Sequence, residues 1–437
     1  MTALPLPMTK TSASKAALAD AALANPPFTE PRATLYTDEP VALLQLDGSD
    51  PVEAASAVYR EVRRGRRVVA VACGDSEAAA RLARALDAIG VPATRPAQGE
   101  AVLDEGVTVV SGPQTLPCRL RSGPLKVLRV ALAGCGVVGG GVLPRLLADR
   151  RFEVVGVLVR DRHRPRDTVI PTDLIVSDPA ALLAREPDIL IEAISDASTG
   201  LALIRAALSR GVDVVSANKQ AVGADLVGLT ALAAAGGARL LYSASVGGGA
   251  PLIETMRRAR RHGAVMRIEA VLNGTCNFIL NRLAEGQGFE AALNAARATG
   301  FAEVDPSADL TGLDAATKLV ILCHEALPGR HALEAATCET LKPDNALPPG
   351  RVRQLAQMNV RTGQISVALC TVDGDPLFAE LPDEWNAVRV TTDDGRIFTA
   401  RGRGAGRTPT AESVWADLTD LAETGHGHPG AIMPWHA

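Results

Sequence analysis

The sequence predicts an α/β protein: a doubly wound parallel sheet, an α+β domain beside it, and a small N-terminal α/β module. Three observations predict this. From Lys126 onward apolar strands (KVLRVALAG, FEVVGVLVR, DILIEAIS, VDVVSAN, ARLLYSAS) alternate with helical segments such as TGLALIRAALSRG, the pattern of a parallel sheet covered on both faces. Gly134-Cys135-Gly136-Val137-Val138-Gly139 follows the first of these strands and opens a helix. Aromatic residues are only 3% of the chain while Ala, Gly, Val and Leu abound, which suits α/β layers packed with small and branched side chains.

Taken in order, residues 1–32 are rich in Ala, Pro, Thr and Ser and read as a loose arm. VALLQL, RRVVAVAC and GVTVVSG read as strands, with helices PVEAASAVYREVRRG and SEAAARLARALDAIG between them. The stretch from Pro113 to Pro124 reads as a linker, so residues 1–125 form the first division. Residues 126–245, rejoined by 400–425, form the dinucleotide-binding domain, and residues 246–399 the substrate-binding and dimerisation domain. In the latter, MRIEAVLNG is a longer strand and TCNFILNRLAEG a helix. ISVALCTVD, AVRVTTDD and RIFTARG have hairpin spacing with DDG as a turn. TAESVWADLTDLAE is the closing helix.

The bulk numbers narrow the function. The chain has 437 residues, 47% hydrophobic and 22% charged, with net charge −4, ordinary values for a globular protein with ample core. No basic patch interleaved with aromatics points to nucleic acid. No run of 18 apolar residues spans a membrane. The 7 cysteines lack close pairing, which favours reduced thiols in a cytoplasm. The tail histidines His426, His428 and His436 carry no specific metal pattern.

The glycine motif is chemically specific in its place. Gly134 makes the tight turn, Gly136 lets backbone approach a pyrophosphate, and Gly139 permits close helix–strand packing; Val137 and Val138 open the helix whose N-terminus attracts phosphate. The domain is therefore of the Rossmann type. At the tip of its second strand stands Arg160, which matches a 2′-phosphate and leans the reading to NADP. The neighbouring Asp161 leaves NAD open.

The segment GFAEVDPSADLTGLDAATK concentrates Glu303, Asp305, Asp309 and Asp314, then adds Lys318. Asp314 and Lys318 are four apart in a helical pattern and share one face. Two readings stay open at this level: a wall that binds an amino acid and moves a proton, or a helix start capped by Asp309 or Thr311.

Six motifs occur in a fixed order: AGCGVVGGGV, SANKQAV, ASVGGGAPLI, LNGTCNFIL, the acidic segment, and GRGAGRTPTAESVWADL. With them the chain from Lys126 onward resembles homoserine dehydrogenase. The resemblance implies interconversion of L-aspartate 4-semialdehyde and L-homoserine with NAD(P)H, in threonine and methionine biosynthesis, by a homodimer or higher homo-oligomer. It implies that Lys219 and Lys318 contact cofactor and substrate and that Lys318 donates the proton, with Lys219 as partner or rival. Glu303 would bind the substrate ammonium, and Asp309 and Asp314 would lie near the substrate hydroxyl and the lysine. Gly300 and the Gly404-Ala405-Gly406 loop would close on the cofactor. Asn273, Thr275 and Asn277 would order the core between domains, with a helix cap or a ligand contact as equal further roles.

Three departures stand out. The family has an acid before its A-[ST]-V-x-G motif that supports a sodium site, and this chain has Ser243 there. The carbonyls of Val246, Gly248 and Ala250 remain as cation ligands, a set weakened by the missing charge. Where the family reads E-L-x-G-G this chain has Glu192-Ala193-Ile194-Ser195-Asp196; Ser195 can hydrogen-bond a nicotinamide ribose, while Asp196 adds negative charge. The N-terminal block (EAASAVYREVRRGRRVVAVACGDSEAAARLARALDAIGVPA) is similar to an aspartate kinase. It has Leu44-Gln45-Leu46-Asp47-Gly48-Ser49 where a kinase needs lysine and glycines, and reads as a vestigial, non-catalytic module. These departures motivate an alternative: a non-catalytic nucleotide-binding regulatory paralogue, or a dehydrogenase for a different amino-acid aldehyde.

Overall fold

The computed structural model describes residues 33–38, 41–47, 51–63, 67–73, 76–91, 93–94, 107–112, 127–327, 335–344 and 346–424. The N-terminal arm, the Pro113–Pro124 linker, Gly48-Ser49 and the tail histidines lie outside the described residues. The chain divides into two compact units, Met1–Gly123 and Pro124–Ala437.

The first unit holds one sheet of β1 (Ala33–Asp38), β2 (Val41–Asp47), β3 (Arg67–Cys73), β4 (Ala93–Thr94) and β5 (Val107–Gly112), in the order β1-β2-β3-β5-β4. Only β1 is antiparallel to its neighbour. Helices Pro51–Arg63 and Ser76–Ala88 bury Ala55, Val58, Leu82 and Leu86, which fall at helical spacing along one face.

The second unit contains two sheets. β6 (Leu128–Ala133), β7 (Phe152–Leu158), β8 (Ile175–Val176), β9 (Ile189–Glu192), β10 (Asp213–Ser216) and β11 (Leu240–Leu241) form a wholly parallel sheet, ordered β11-β10-β9-β6-β7-β8. Strand order reverses between β6 and β9, and ligands bind outside the carboxyl ends at such a switch point. β12 (Val265–Val271), β13 (Ala336–Cys338), β14 (Val352–Asn359), β15 (Gln364–Thr371), β16 (Trp385–Thr392) and β17 (Ile397–Arg403) form the other sheet, ordered β13-β15-β14-β12-β16-β17. It is antiparallel except where β13 joins β15.

One apolar core joins the two sheets. Leu190 and Val214 of the parallel sheet, Ala316 and Leu319 of helix Leu313–Ala326, and Ile268 and Val388 of the mixed sheet belong to it. On the opposite face of the parallel sheet, Leu132 and Ile191 pack with Val414, Trp415 and Leu418 of the closing helix Arg407–Thr424. That helix lies along helix Val137–Ala148: Arg145 pairs with buried Glu412 at 2.6 Å and stacks 4.2 Å over Trp415.

Helix Leu313–Ala326 is further anchored by a buried triad. Glu325 accepts from Tyr242 Oη and, at 2.8 Å, from Arg257 Nη2 of helix Leu252–His262. Burial alone would raise the Glu325 carboxyl, and the Arg257 guanidinium overrides it and holds it below the usual range. The capped-start reading of this helix needs correction. Its N-cap is Gly312 at φ +79°, with no side-chain cap; Asp309 and Thr311 do not fill that role. Glycine is what a left-handed residue at this junction demands.

Candidate active site

The nucleotide cradle is built by glycines. Gly134 turns the chain at φ +92° where its would-be Cβ would lie 2.5 Å from Ala193 O. A Cβ on Gly139 would stand 2.0 Å from Gly134 O, so only glycine lets the helix start this close to the strand. Gly136 is exposed and faces open space, with nothing within 4 Å of its Cβ direction. It heads helix Val137–Ala148 without a side-chain cap, so the first backbone N–H groups remain available for a phosphate. Val137 is exposed and Val138 half-buried. These residues fit a dinucleotide: Gly134, Gly136, Val137 and Val138 would line its pyrophosphate.

Arg160 is exposed just beyond β7, as is Asp161, whose Oδ1 accepts from His163 N–H at 2.8 Å. Ser195 is exposed after β9. Asp196 is the N-cap of helix Ala197–Leu208 and accepts from Thr199 N–H and Ser198 Oγ, each at 2.8 Å. Those hydrogen bonds, led by Thr199, hold its carboxyl down at about 2. Asp196 thus caps a helix and keeps its negative charge.

Across the carboxyl ends of the strands, Lys219 is the first residue of helix Lys219–Ala224, directly after β10 and its cap Asn218. Its Nζ pairs with Asp314 Oδ1. Lys318, one turn along from Asp314, reaches Asp314 Oδ2 at 2.9 Å and donates to Leu272 O at 2.8 Å. The Lys219 side chain is 37% exposed, that of Lys318 11% and that of Asp314 5%. Burial would raise the Asp314 carboxyl, but the ammonium groups of Lys318 and Lys219 outweigh it and hold it well below the usual carboxylate range.

Asn273 completes the cluster. It caps helix Gly274–Ala284 through Cys276 N–H at 2.8 Å, and its Nδ2 donates to Asp309 Oδ1 at 2.7 Å and Asp314 Oδ2 at 2.9 Å. Of the roles weighed for it, the capping one is the one seen. Thr275 Oγ1 donates to Phe301 O at 2.7 Å, and Asn277 Nδ2 to Pro382 O at 2.7 Å.

Other sequence-selected residues make no hydrogen bond to this cluster among the described residues. Gly300, at φ +79°, ends helix Phe289–Ala298 and is exposed. Glu303 is exposed and has no hydrogen-bond or ion-pair partner among the described residues. Asp305 accepts from Ser307 N–H and Oγ at 3.1 and 2.6 Å, a turn. Gly404 donates to Glu384 O at 2.9 Å and abuts Asn386 so closely that a Cβ would come within 1.4 Å of its Oδ1. Its carbonyl lies against Gly248, where a Cβ would stand 2.7 Å away.

Val246, Gly248 and Ala250 form a buried loop before helix Leu252–His262, and the Ala250 carbonyl accepts Leu252 N–H at 2.8 Å. Ser243 N–H and Oγ both donate to buried Asp417 of the closing helix, at 3.0 and 2.9 Å. The Asp417 carboxylate is engaged there, so the loop offers neutral carbonyls, a poor fit to the charged oxygen that hard cations favour.

Sequence reasoning missed two partners. Buried Glu192, the last residue of β9, binds Ser216 and Asn218; a carboxylate ending the apolar strand ILIE was the available signal. Arg407 donates to Thr168 Oγ1 and Gly140 O at 2.7 and 3.0 Å, clamping the first turns of the nucleotide helix. Nothing in its local sequence signals this.

A phosphate cradle at the switch point, together with two lysines on one buried carboxylate, suits a nicotinamide-dependent dehydrogenase of a small polar substrate. Residues 134–243 match the family model for the NAD-binding domain of homoserine dehydrogenase, and residues 251–419 match homoserine dehydrogenase itself. Homoserine dehydrogenase of Synechocystis sp. is 31% identical over 318 residues, covering 67% of this chain and 73% of the relative. The NAD(+)-dependent homoserine dehydrogenase of Pseudomonas canavaninivorans is 31% identical over 242 residues, covering 52% and 68%. A crystal structure of homoserine dehydrogenase from Thiobacillus denitrificans superposes with TM-score 0.61 at 28% identity, over 70% of this chain and 76% of that one. The chain belongs to the homoserine dehydrogenase family. Its activity is the NAD(P)-dependent interconversion of L-aspartate 4-semialdehyde and L-homoserine, a step towards threonine and methionine.

Proposed function

We propose that Lys318 gives the proton to the substrate oxygen during aldehyde reduction, and that Asp314 holds it in place and links it to the more exposed Lys219. When bound, the nicotinamide supplies the hydride. As the aldehyde carbon gains that hydride, its oxygen develops negative charge and takes a proton from the Lys318 ammonium; homoserine oxidation is the reverse. The observation that supports this is that Lys318 and Lys219 meet on the one buried Asp314 carboxylate. Lys318 is the mostly buried lysine of the pair and Lys219 the one more exposed to solvent.

Glu303 fits the role of ammonium clamp because its carboxylate is exposed and unpaired among the described residues. Asp309, held by Asn273, faces the same site. The Arg160 guanidinium is the group suited to a 2′-phosphate. Ser195, Gly300 and Gly404 are assigned to the cofactor side on the family resemblance. We also propose a cytoplasmic homodimer or higher homo-oligomer, in keeping with the resemblance and with the free cysteines among the described residues (Cys135, Cys276, Cys323, Cys338 and Cys370); sedimentation velocity tests the assembly. The N-terminal unit is assigned no catalytic role.

The test is Lys318→Ala, assayed by homoserine oxidation at the reduced-nicotinamide absorbance band. Losing a general acid–base group should lower kcat by about 10²-fold or more while nucleotide Kd stays within about twofold. Equal loss of nucleotide affinity would make Lys318 a structural residue and overturn the reading.

A further inference from the structure

The carboxyl ends of β9 and β10 carry a buried polar ring that the chemistry above leaves unused. Glu192 is fully buried. Its Oε2 accepts the Ser216 hydroxyl at 2.7 Å, and its Oε1 accepts Ile194 N–H at 2.9 Å and the Asn218 side-chain amide at 3.3 Å. Ser216 Oγ in turn accepts Asn218 N–H at 3.1 Å, Asn218 Nδ2 also donates to Ile194 O at 3.0 Å, and the Glu192 main-chain carbonyl accepts Ala217 N–H at 2.9 Å. One residue therefore holds every member of the turn 216–218. Asn218 Oδ1 then accepts Ala221 N–H at 3.0 Å and caps the helix that begins with Lys219.

Two features mark this ring as more than core packing. Its carboxyl has no ion-pair partner among the described residues, and a buried carboxyl is costly unless several donors converge on it. An apolar side chain would fill the space at less cost but could not orient Asn218. Helix Ala197–Leu208 also yields to the ring: a Cβ on Gly200 would lie 2.7 Å from Asn218 Nδ2 and 2.9 Å from Glu192 Oε1.

We propose that Glu192 is a positioning residue for Lys219: through Ser216 and Asn218 it sets the turn from which Lys219 reaches Asp314. The proposal rests on the reading of Lys219 as part of the proton site, where a misplacement of about 1 Å costs up to about 10²-fold in rate.

The test is Glu192→Gln in the full chain, which keeps size and replaces one acceptor by a donor. The assay is homoserine oxidation, with kcat expressed per nucleotide site titrated by reduced-nucleotide fluorescence. We expect kcat to fall at least about tenfold, with homoserine KM and nucleotide Kd within about twofold of wild type. In a Lys219→Ala background the same change should cost less than about twofold, because both act through one group. Equal losses in the two backgrounds, or no loss in the first, overturn the proposal and leave the lysine reading intact. Wild-type kcat in Lys219→Ala itself overturns the lysine reading, and the proposal with it. If Glu192→Gln does not fold, Ser216→Ala, which removes only the bridging hydroxyl, is read in the same two backgrounds with the same outcomes.

Discussion

Asp314→Asn removes the charge that both lysines share, and the structure sets the size of the effect. Lys318 Nζ lies 2.9 Å from Asp314 Oδ2, with side chains only 11% and 5% exposed. At an effective dielectric constant of about 20 such a pair gains roughly 6 kcal/mol of Coulomb energy before the cost of dehydrating both charges. Removing one partner of a buried pair costs about 3–5 kcal/mol, since the other charge stays buried without compensation. The asparagine amide still offers an oxygen to Asn273 and Lys318, which points to the lower half of that range. This is a large fraction of a typical folding free energy of about 5–15 kcal/mol.

The pH dependence carries a sign. The native Asp314 carboxyl is held below its ordinary value, so its contribution is complete above the unfolded value, roughly pH 4, and declines as pH falls towards the native one. Urea unfolding of wild type and variant, followed through Trp385 and Trp415 fluorescence, should show the full gap at pH 7 and a shrinking gap below about pH 4. Turnover of homoserine should fall by about 10²-fold or more at unchanged nucleotide Kd. A gap under about 1 kcal/mol with kcat within about twofold of wild type would refute both the buried-pair energetics and the shared-carboxylate mechanism.

Further outcomes follow from the same geometry. Glu303→Asp shortens the reach to the substrate ammonium and should raise homoserine KM by about tenfold with kcat nearly unchanged; steady-state kinetics would expose an opposite split. Arg160→Ala should weaken NADP by roughly tenfold or more and NAD by less than about twofold. Nucleotide titration giving equal losses would remove the 2′-phosphate contact.

Much of this was legible in local pattern. The strand–GxGxxG–helix order marks a nucleotide cradle because tight turns and close helix approach demand glycine, and Gly134 and Gly139 sit where a Cβ would collide. The spacing of Asp314 and Lys318 predicts a shared helix face, and the two are in contact. Strand β14 escaped pattern reading because its buried residues include Arg353 and Gln354. The Arg353 guanidinium is satisfied by the carbonyls of Phe378 and Ala379, both at 2.9 Å, partners supplied by the short helix Pro376–Ala379 elsewhere in the chain.

By itself the sequence determined the α/β class, the strand–glycine–helix place for a phosphate cradle, and the family whose ordered motifs the chain carries. All of these depend on turn stereochemistry and residue spacing, which are local. Tertiary structure alone decided that Lys219 and Lys318 meet on one carboxylate, that Asn273 links Asp309 to Asp314, that Asp417 engages Ser243, and that Glu192 braces the turn before Lys219. Each of these joins side chains far apart in sequence. Such pairings follow from how the sheets and helices pack, because the cost of burying a polar group is met by whichever donor or acceptor the fold brings beside it.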